Sequence, residues 1–541
     1  MAKAKDDQTP ISKAALATAR AGLAAARGKQ RLDLILDQRN PGALVRALPA
    51  DDLYLTIREI GLGDAVELVQ LASPGQFRTF LDLACWRGDR IEPRSTLPWL
   101  RAARAGSMDS PREEARWKAK LAALDPEVLY LVLRETLRIH DLEQDPDPDL
   151  TSDRFMRTPE HKYIIEFFAE GAEYMAVRGL VDDLYAEDPF KATRLLSAIR
   201  SELPSELEET ALRWRTGRLA DLGYPSREEA LSWFARPAVR NETHAGTPAR
   251  PPGFYLERIG TGSLLARAAA RLSPDEREHL ELELVTASNA ALVADAVDPG
   301  ELEEVRRAVE ASRALVQMGL EEAAGGDEEK AAEVLATTTA KSLFQRGFGR
   351  VLKLKWRAEK LLGSGLAGSR AAPVLDPPLG EALSALARPR PLYFPGLETP
   401  RGEWGSDAAG AFEPRPFLSS AELARTAEAL ELAEGLASLG SHLGLLPERA
   451  GGAPATRLAT FYLTALANER LGRGFAPEPI ALADVPEAAR ALADLADARL
   501  ASQGEAGKLL AVIASARAEE LAPVRQGTVP APAQVTAMLV K

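Results

Sequence analysis

Cysteine is nearly absent: the chain of 541 residues holds one, Cys85. No internal disulfide framework can form, and a reducing compartment is the expected setting. Aromatic residues are scarce too, at 6%, which suits helices better than sheets, whose strands draw on aromatic and β-branched side chains. Nowhere do eighteen apolar residues run without interruption, so no membrane span is expected. The N-terminus lacks the continuous apolar core of a secretory signal, which makes the cytoplasm the expected location. Positive charge is in deficit, with 67 Lys and Arg against 79 Asp and Glu, a net charge of −12. No overall field therefore draws the protein to nucleic acid or anionic lipid.

What is present is ordinary globular material, 46% hydrophobic and 27% charged, in a chain too long for one compact core. One stretch is written twice. Leu48-Pro49-Ala50-Asp51-Asp52-Leu53-Tyr54-Leu55-Thr56-Ile57-Arg58-Glu59 returns 76 positions later as Leu124-Asp125-Pro126-Glu127-Val128-Leu129-Tyr130-Leu131-Val132-Leu133-Arg134-Glu135. Recurrence of a helical unit argues for stacked helices, each burying an apolar face that it cannot bury alone.

Helix starts are legible throughout. Ser73-Pro74, Ser110-Pro111 and Ser273-Pro274 each set a serine cap before a proline, with Gln76, Glu113 and Glu276 placed to complete a capping box. Ser205…Glu208, Ser226…Glu229, Asp298…Glu301 and Ser419…Glu422 repeat the spacing, and Asp125-Pro126 and Asp188-Pro189 are aspartate versions. This density of caps predicts an all-α body.

The expected organisation is a flexible basic arm (1–29), a helical-repeat domain (30–236), a long-helix middle domain (254–363), a Gly/Pro-rich insert (364–418) and a C-terminal helical domain (419–541). The arm carries Lys13, Arg20, Arg27 and Lys29 without an acidic residue beyond position 10; it reads as a contact for an acidic surface or as a solvated leader helix. Long helices are expected at 274–295, 299–320 and 328–362, the last kinked near Gly347 and Gly349. Tyr163–Phe168 is the one place where a short β element is expected. The insert, with its stranded Tyr393, Phe394, Trp404, Phe412 and Phe417, reads as functional or poorly ordered.

Two resemblances follow from particular segments. Asn40-Pro41…Leu44-Val45…Leu48-Pro49…Asp52-Leu53, then Leu71-Ala72-Ser73-Pro74, resembles the cytosolic helical domain of MgtE-type magnesium transporters, which implies a superhelix of short helices over about 30–140. The transporter's paired cystathionine-synthase-type modules and membrane bundle have no counterpart. Phe80–Arg90 (FLDLACWRGDR), Arg215–Pro225 (RTGRLADLGYP) and Ser288–Asp295 (SNAALVAD) resemble an uncharacterised bacterial domain-of-unknown-function family, which brings no catalytic residues with it.

The chemistry-bearing motifs are few. Asp145, Asp147, Asp149, Thr151 and Asp153 fall at the alternating spacing of a calcium loop. Leu150 stands where that loop needs its glycine and Met156 where it needs a bidentate Glu, so a solvated acidic linker is the competing reading. The histidines, 140, 161, 244, 279 and 442, form no ligand pair on a helix. Gly504-Glu505-Ala506-Gly507-Lys508-Leu509 falls short of a phosphate loop in both spacing and final residue. Cys85 sits in an apolar helical pattern and reads as core.

Arg213, Trp214, Arg215 and Arg218, with Asp221 following, form either an anion- or partner-docking face or a salt-bridged surface with Trp214 buried and Arg218 paired to Asp221.

The leading functional expectation is a non-catalytic, cytoplasmic interaction or regulatory scaffold that holds a protein partner, with no cofactor. The alternatives are an enzyme with a site between helical domains, around Asp141–Asp153 or the Arg213–Arg218 helix, and a divalent-cation sensor.

Overall fold

The computed structural model describes residues 26–107, 109–235, 262–368, 374–445, 457–526 and 535–541, with isolated positions between 16 and 23. Nearly all of the basic arm, the Pro/Gly-rich stretch 237–253 and His244 lie outside the described residues. Among the described residues the chain is all-α apart from two small antiparallel sheets. It divides into two compact units, one of residues 1–235, 241–313 and 326–341, the other of 236–240, 314–325 and 342–541. No helix among the described residues is long and apolar enough to cross a membrane.

The first unit opens with short helices, α1 (Lys29–Leu36), α2 (Pro41–Ala47), α3 (Ala50–Ile60), α4 (Val66–Leu71) and α5 (Pro74–Ala84). A two-residue hairpin of β1 (Trp86–Arg87) and β2 (Arg90–Ile91) leads to α6 (Leu97–Arg104), α7 (Pro111–Ala122) and α8 (Pro126–Thr136). The written repeat becomes α3 and α8, two helices of eleven residues. Leu53 and Ile57 in one, and Leu129 and Leu133 in the other, face the same continuous core, as the i, i+4 spacing requires. Tyr54 is fully buried and stacks on Trp99, centroids 5.6 Å apart, beside Phe80.

The expected β element is the centre of a sheet. β5 (Tyr163–Phe167) pairs on one side with β3 (Leu137–Asp141) and on the other with β4 (Phe155–Arg157), both antiparallel. β3 therefore begins directly after α8, inside what the sequence pattern treats as the end of a helix and the start of a loop. Four helices follow, α9 (Gly171–Glu187), α10 (Pro189–Ser201), α11 (Pro204–Asp221) and α12 (Arg227–Ser232), then α13 (Leu264–Ala269) and α14 (Pro274–Ala294). α15 (Leu302–Ala324) and α16 (Glu328–Thr337) complete the helices up to Thr337.

Most caps behave as read. Ser73, Ser226 and Ser273 form reciprocal boxes with Gln76, Glu229 and Glu276, and Ser110 and Ser419 accept from the third helical amide. Three differ. Pro204 starts α11 one residue before Ser205, so Glu208 is free to accept instead from Ile91 N at 3.0 Å. α15 starts at Leu302 rather than 299, and Asp298 caps only the amide of Gly300. Asp125 makes no cap bond because its carboxylate is taken by Arg218.

The second unit takes α15 from Ala314 onward and α17 (Ala340–Gly363) from Ser342 onward, with α18 (Leu379–Leu386), α19 (Asp407–Gly410), α20 (Ser420–His442), α21 (Leu458–Arg470), α22 (Val485–Ala491), α23 (Ala498–Ala501), α24 (Gly504–Glu519) and α25 (Ala522–Arg525). The kink expected at Gly347 and Gly349 is instead a break at Thr338–Thr339, and α17 runs unbroken through both glycines. A run of β-branched threonines from Thr337 disfavours helix there, and the Glu283 carboxylate accepts from the Ala340 amide that starts the next helix. The described residues of the Gly/Pro-rich insert are folded: Tyr393, Phe394, Trp404 and Phe417 are buried, and Tyr393 exchanges backbone hydrogen bonds with Arg415.

Candidate binding cleft

The three segments that carry the second resemblance meet in the first unit. The hairpin after α5 turns on Gly88–Asp89, with Gly88 at φ +60°, the positive angle that the first position of a II′ turn demands. This turn presents Trp86, Arg87 and Asp89. α11 crosses beside it, bringing Arg215, Thr216 and Leu219, and the stretch after it brings Tyr224. The C-terminal end of α14 supplies Leu292 and Val293, and the connection beyond it Val297 and Asp298. Together these residues line a cleft of about 440 Å³, within the size range of preformed ligand sites.

The walls are tied together by arginines. The Arg215 Nε donates to the Asp82 carbonyl at 2.8 Å, and its guanidinium lies 5.0 Å above the Trp86 ring centroid, a cation–π geometry. Burial pushes the Arg215 guanidinium below its ordinary pKa. One turn on, Arg218 grips Asp82 through two bonds of 2.8 Å and Asp125 through two, of 2.6 and 3.3 Å. Burial alone would lower Arg218; hydrogen bonding and charge from the two carboxylates reverse this and push it up. On the opposite wall, Arg87 Nη1 meets Asp298 Oδ2 at 2.9 Å, and Arg58 Nη2 donates to the Gly300 carbonyl at 3.0 Å.

That wall contains a strained position. Ala296, which lines the cleft, sits at φ +51°, a left-handed conformation unusual for a residue with a Cβ. It ends α14 in a Schellman-like pattern, Val297 N bonding to Leu292 O at 3.0 Å and Ala296 N to Val293 O at 3.2 Å.

Two of the cleft's hydroxyls, those of Thr216 and Ser226, are committed to the backbone and to a cap. Thr216 Oγ1 donates to the Leu212 carbonyl, and Ser226 caps α12. Cys85, at the end of α5, is fully buried, and burial pushes its thiol well up, so no thiolate is ready to attack.

The residues singled out from sequence separate. Arg213 lies on the outer face of α11, 3.8 Å from Glu209 and largely exposed. Trp214, expected to be buried if the face were merely structural, is 57% exposed. Arg218 turns inward to Asp82 and Asp125 rather than pairing with Asp221. Arg215 alone of the three arginines lines the cleft.

The acidic loop is a separate feature. Asp145, Asp147, Asp149 and Asp153 are all exposed, and among the described residues no three His, Cys, Asp or Glu side chains gather as a metal site. The loop is ordered from below by Glu166, whose fully buried carboxylate accepts from Thr151 N, Thr151 Oγ1, Ser152 N and His140 Nε2 at 2.6–2.9 Å. Burial alone would raise Glu166; these four bonds bring it down to about 2. Asp141 pairs with Arg200. Glu166 escapes a reading of the sequence because its partners sit on a neighbouring strand and loop, and Asp298 reads there only as a helix cap because Arg87 lies far along the chain. The Trp-Arg-Gly-Asp run before a strand-like Ile91 is the one local signal that pointed to a presented turn.

The fold and the cleft define a helical protein, built in part from a repeated unit, with a preformed pocket walled by arginine and aromatic side chains. Residues 8–528 match the model of a family of unknown function, DUF6178, and the chain belongs to that family. No curated protein and no solved structure matches the chain.

Proposed function

We propose that this protein is a non-catalytic interaction protein that captures a segment of a partner protein in the cleft formed by the 80–90 turn, α11 and the end of α14. One observation carries the reading: three stretches that lie far apart in the chain, residues 80–90, 215–225 and 288–298, converge on a single pocket in which Arg215, Thr216 and Ser226 are held by bonds within the protein. In this reading the repeat domain drawn at 30–236 supplies two walls and the middle domain drawn at 254–363 the third. The protein acts in the cytoplasm, a setting that a lone buried Cys85 supports.

The commitment of Thr216 and Ser226 to intramolecular bonds, and the inert Cys85, favour binding over the enzyme alternative. The likeness of residues 30–140 to a magnesium-transporter domain would favour a cation sensor, but the exposed and spread carboxylates of the acidic loop support that less well than the cleft supports a partner.

A photo-crosslinking amino acid placed at Thr216, an exposed cleft position, tests the reading in the native host. A discrete cross-linked protein that is absent when the same group sits at Arg213 is expected. Equal labelling from both positions, or none from Thr216, overturns it.

A further inference from the structure

We infer that the segment taken by the cleft is acidic and apolar at once: a peptide that presents a carboxylate to Arg215 and Arg227 while laying an aliphatic or aromatic side chain on Leu219, Val293 and Val297. This deepens the proposed function and rests on it.

The argument is one of unmatched charge. The cleft is lined by Arg87, Arg215 and Arg227 against Asp89 and Asp298, an excess of one cation on a chain that carries a net charge of −12. Arg87 is already paired with Asp298 at 2.9 Å and reaches Glu92 at 3.6 Å. Among the described residues Arg215 has no carboxylate partner: its bonds go to the carbonyls of Asp82 and Gly88, and its face to Trp86. Arg227, the first residue of α12, is exposed, and no carboxylate among the described residues pairs with it either. Asp89 stands on the same rim and contributes charge to Arg215 without pairing with it.

Elsewhere in this unit arginines find carboxylates readily, as Arg104 does with Asp183 and Arg218 with Asp82. A guanidinium stacked on tryptophan and held by backbone carbonyls is preorganised to offer its remaining N–H groups to an incoming carboxylate, which it binds in a planar fork. The floor is apolar: Leu83, Leu219 and Leu292 are buried or nearly so, with Val293 and Val297 half-buried beside them. A fully hydrated polyanion would leave that floor unused, and a neutral apolar segment would leave two cations unmatched. A carboxylate beside an apolar side chain meets both, with the hydrophobic part contributing affinity and the ion pair setting orientation.

The test uses the full-length protein with the photo-crosslinker at Thr216 and reads the attached partner peptide by mass spectrometry. A peptide with Asp or Glu adjacent to a large apolar residue is expected. A synthetic copy of it, fluorescently labelled, should bind the unmodified protein. Replacing its acidic residue with the amide should weaken binding at least tenfold, as should Arg227→Glu, which changes an exposed side chain and leaves the fold intact. Arg215→Gln should do the same, and Arg213→Glu, on the outer face of the same helix, should not. A cross-linked peptide that is basic or lacks any acidic residue, one that comes from a second copy of this chain, or equal affinity of the Arg227→Glu variant overturns the inference while leaving the cleft a binding site. Failure to cross-link anything at Thr216 removes the proposed function itself.

Discussion

Arg58 and Arg134, the equivalent arginines of the two repeat copies, perform the same task. Arg58 Nη2 donates to the Gly300 carbonyl at 3.0 Å, and Arg134 Nη1 donates to the carbonyls of Ile199 and Glu202 at 3.0 and 2.7 Å. The glutamates that follow them also act alike, each receiving an arginine: Glu59 meets Arg31 and Arg306, and Glu135 meets Arg94 at 3.3 Å. The Arg-Glu doublet thus fastens each repeat helix to other parts of the chain, the arginine to later carbonyls and the glutamate to an arginine that precedes it. Arg134→Ala leaves the carbonyls at the end of α10 without this donor, and hydrogen bonds from charged groups are worth about 1.5–3 kcal/mol. A loss of that order in urea unfolding is expected. An unchanged midpoint would show the doublet to be decorative.

Arg218 fastens α11 to α5 and to the start of α8. Its removal in Arg218→Met strands the Asp82 carboxylate, which is 5% exposed, and breaking a buried pair from one side costs about 3–5 kcal/mol. Adding Asp82→Asn to that variant removes the stranded charge and should return part of the loss. Thermal unfolding of the two variants side by side checks this; a double variant no better than the single one would place the cost elsewhere.

Gly347 and Gly349 lie two residues apart in α17, and their replacement by alanine should act with opposite sign. A Cβ at Gly347 would stand 2.0 Å from the Leu315 carbonyl oxygen of α15, and one at Gly319 would stand 1.9 Å from that of Leu343. The two helices cross at these glycines with backbone against backbone, so Gly347→Ala must force them apart, at a cost of about 1–3 kcal/mol or more. A Cβ at Gly349 meets nothing within 4 Å, so Gly349→Ala should stabilise by roughly 0.5–1 kcal/mol through helix propensity alone. Denaturant midpoints of the two single variants decide it.

Glu166 has acid-dependent consequences. Its ordinary value is 4.5 and the folded protein holds it at about 2, so the stability it contributes is present above pH 4.5 and is lost as pH falls toward 2. Glu166→Gln should remove that acid-sensitive part: the amide keeps one oxygen for the Thr151 and Ser152 donors but loses the negative charge that strengthens those bonds, and sets an NH2 group where Oε2 meets His140. Limited proteolysis at neutral pH should then cut the 142–153 loop faster than in the unaltered protein; equal rates would mean that the loop is held by something else.

Much of the fold was readable because helix starts are local: a serine with Glu or Gln three residues on, and in three cases a proline directly after the serine, suffices to place α5, α7, α12, α14 and α20. What escaped was set by partners distant in sequence. β3 follows α8 without a break, and only pairing with β5 makes Leu137–Asp141 extended. Gly347 looked like a hinge because its close neighbour, Leu315, lies on another helix. The cleft was half-visible: its three walls are the segments that carry the family resemblance, yet nothing within any one of them says that Trp86 receives Arg215.

Asp376 should give the second unit a pH dependence opposite to that of Glu166. Its carboxylate is 2% exposed. Oδ2 accepts from Ala459 N at 2.9 Å at the start of α21, while Oδ1 accepts no bond and lies 3.7 Å from Arg517 Nε on α24. Arg457 is engaged with Glu381 on α18 at 2.6 Å. Burial pushes Asp376 up from 3.8 to about 6, against the pull of the Ala459 amide and of the two arginines. The folded state therefore holds a proton that the unfolded chain releases. Stability from this group is fully present below pH 3.8, declines as pH rises and is lost above about 6, a change of about 3 kcal/mol for a shift of roughly two units. Asp376→Asn cannot titrate, so the difference between its melting temperature and that of the unaltered protein should shift in the variant's favour between pH 4.5 and 7. The comparison isolates this carboxylate because every other acidic group is common to both proteins, and a difference that stays constant with pH would mean that Asp376 is ionised throughout and that the Arg517 guanidinium compensates fully for its burial.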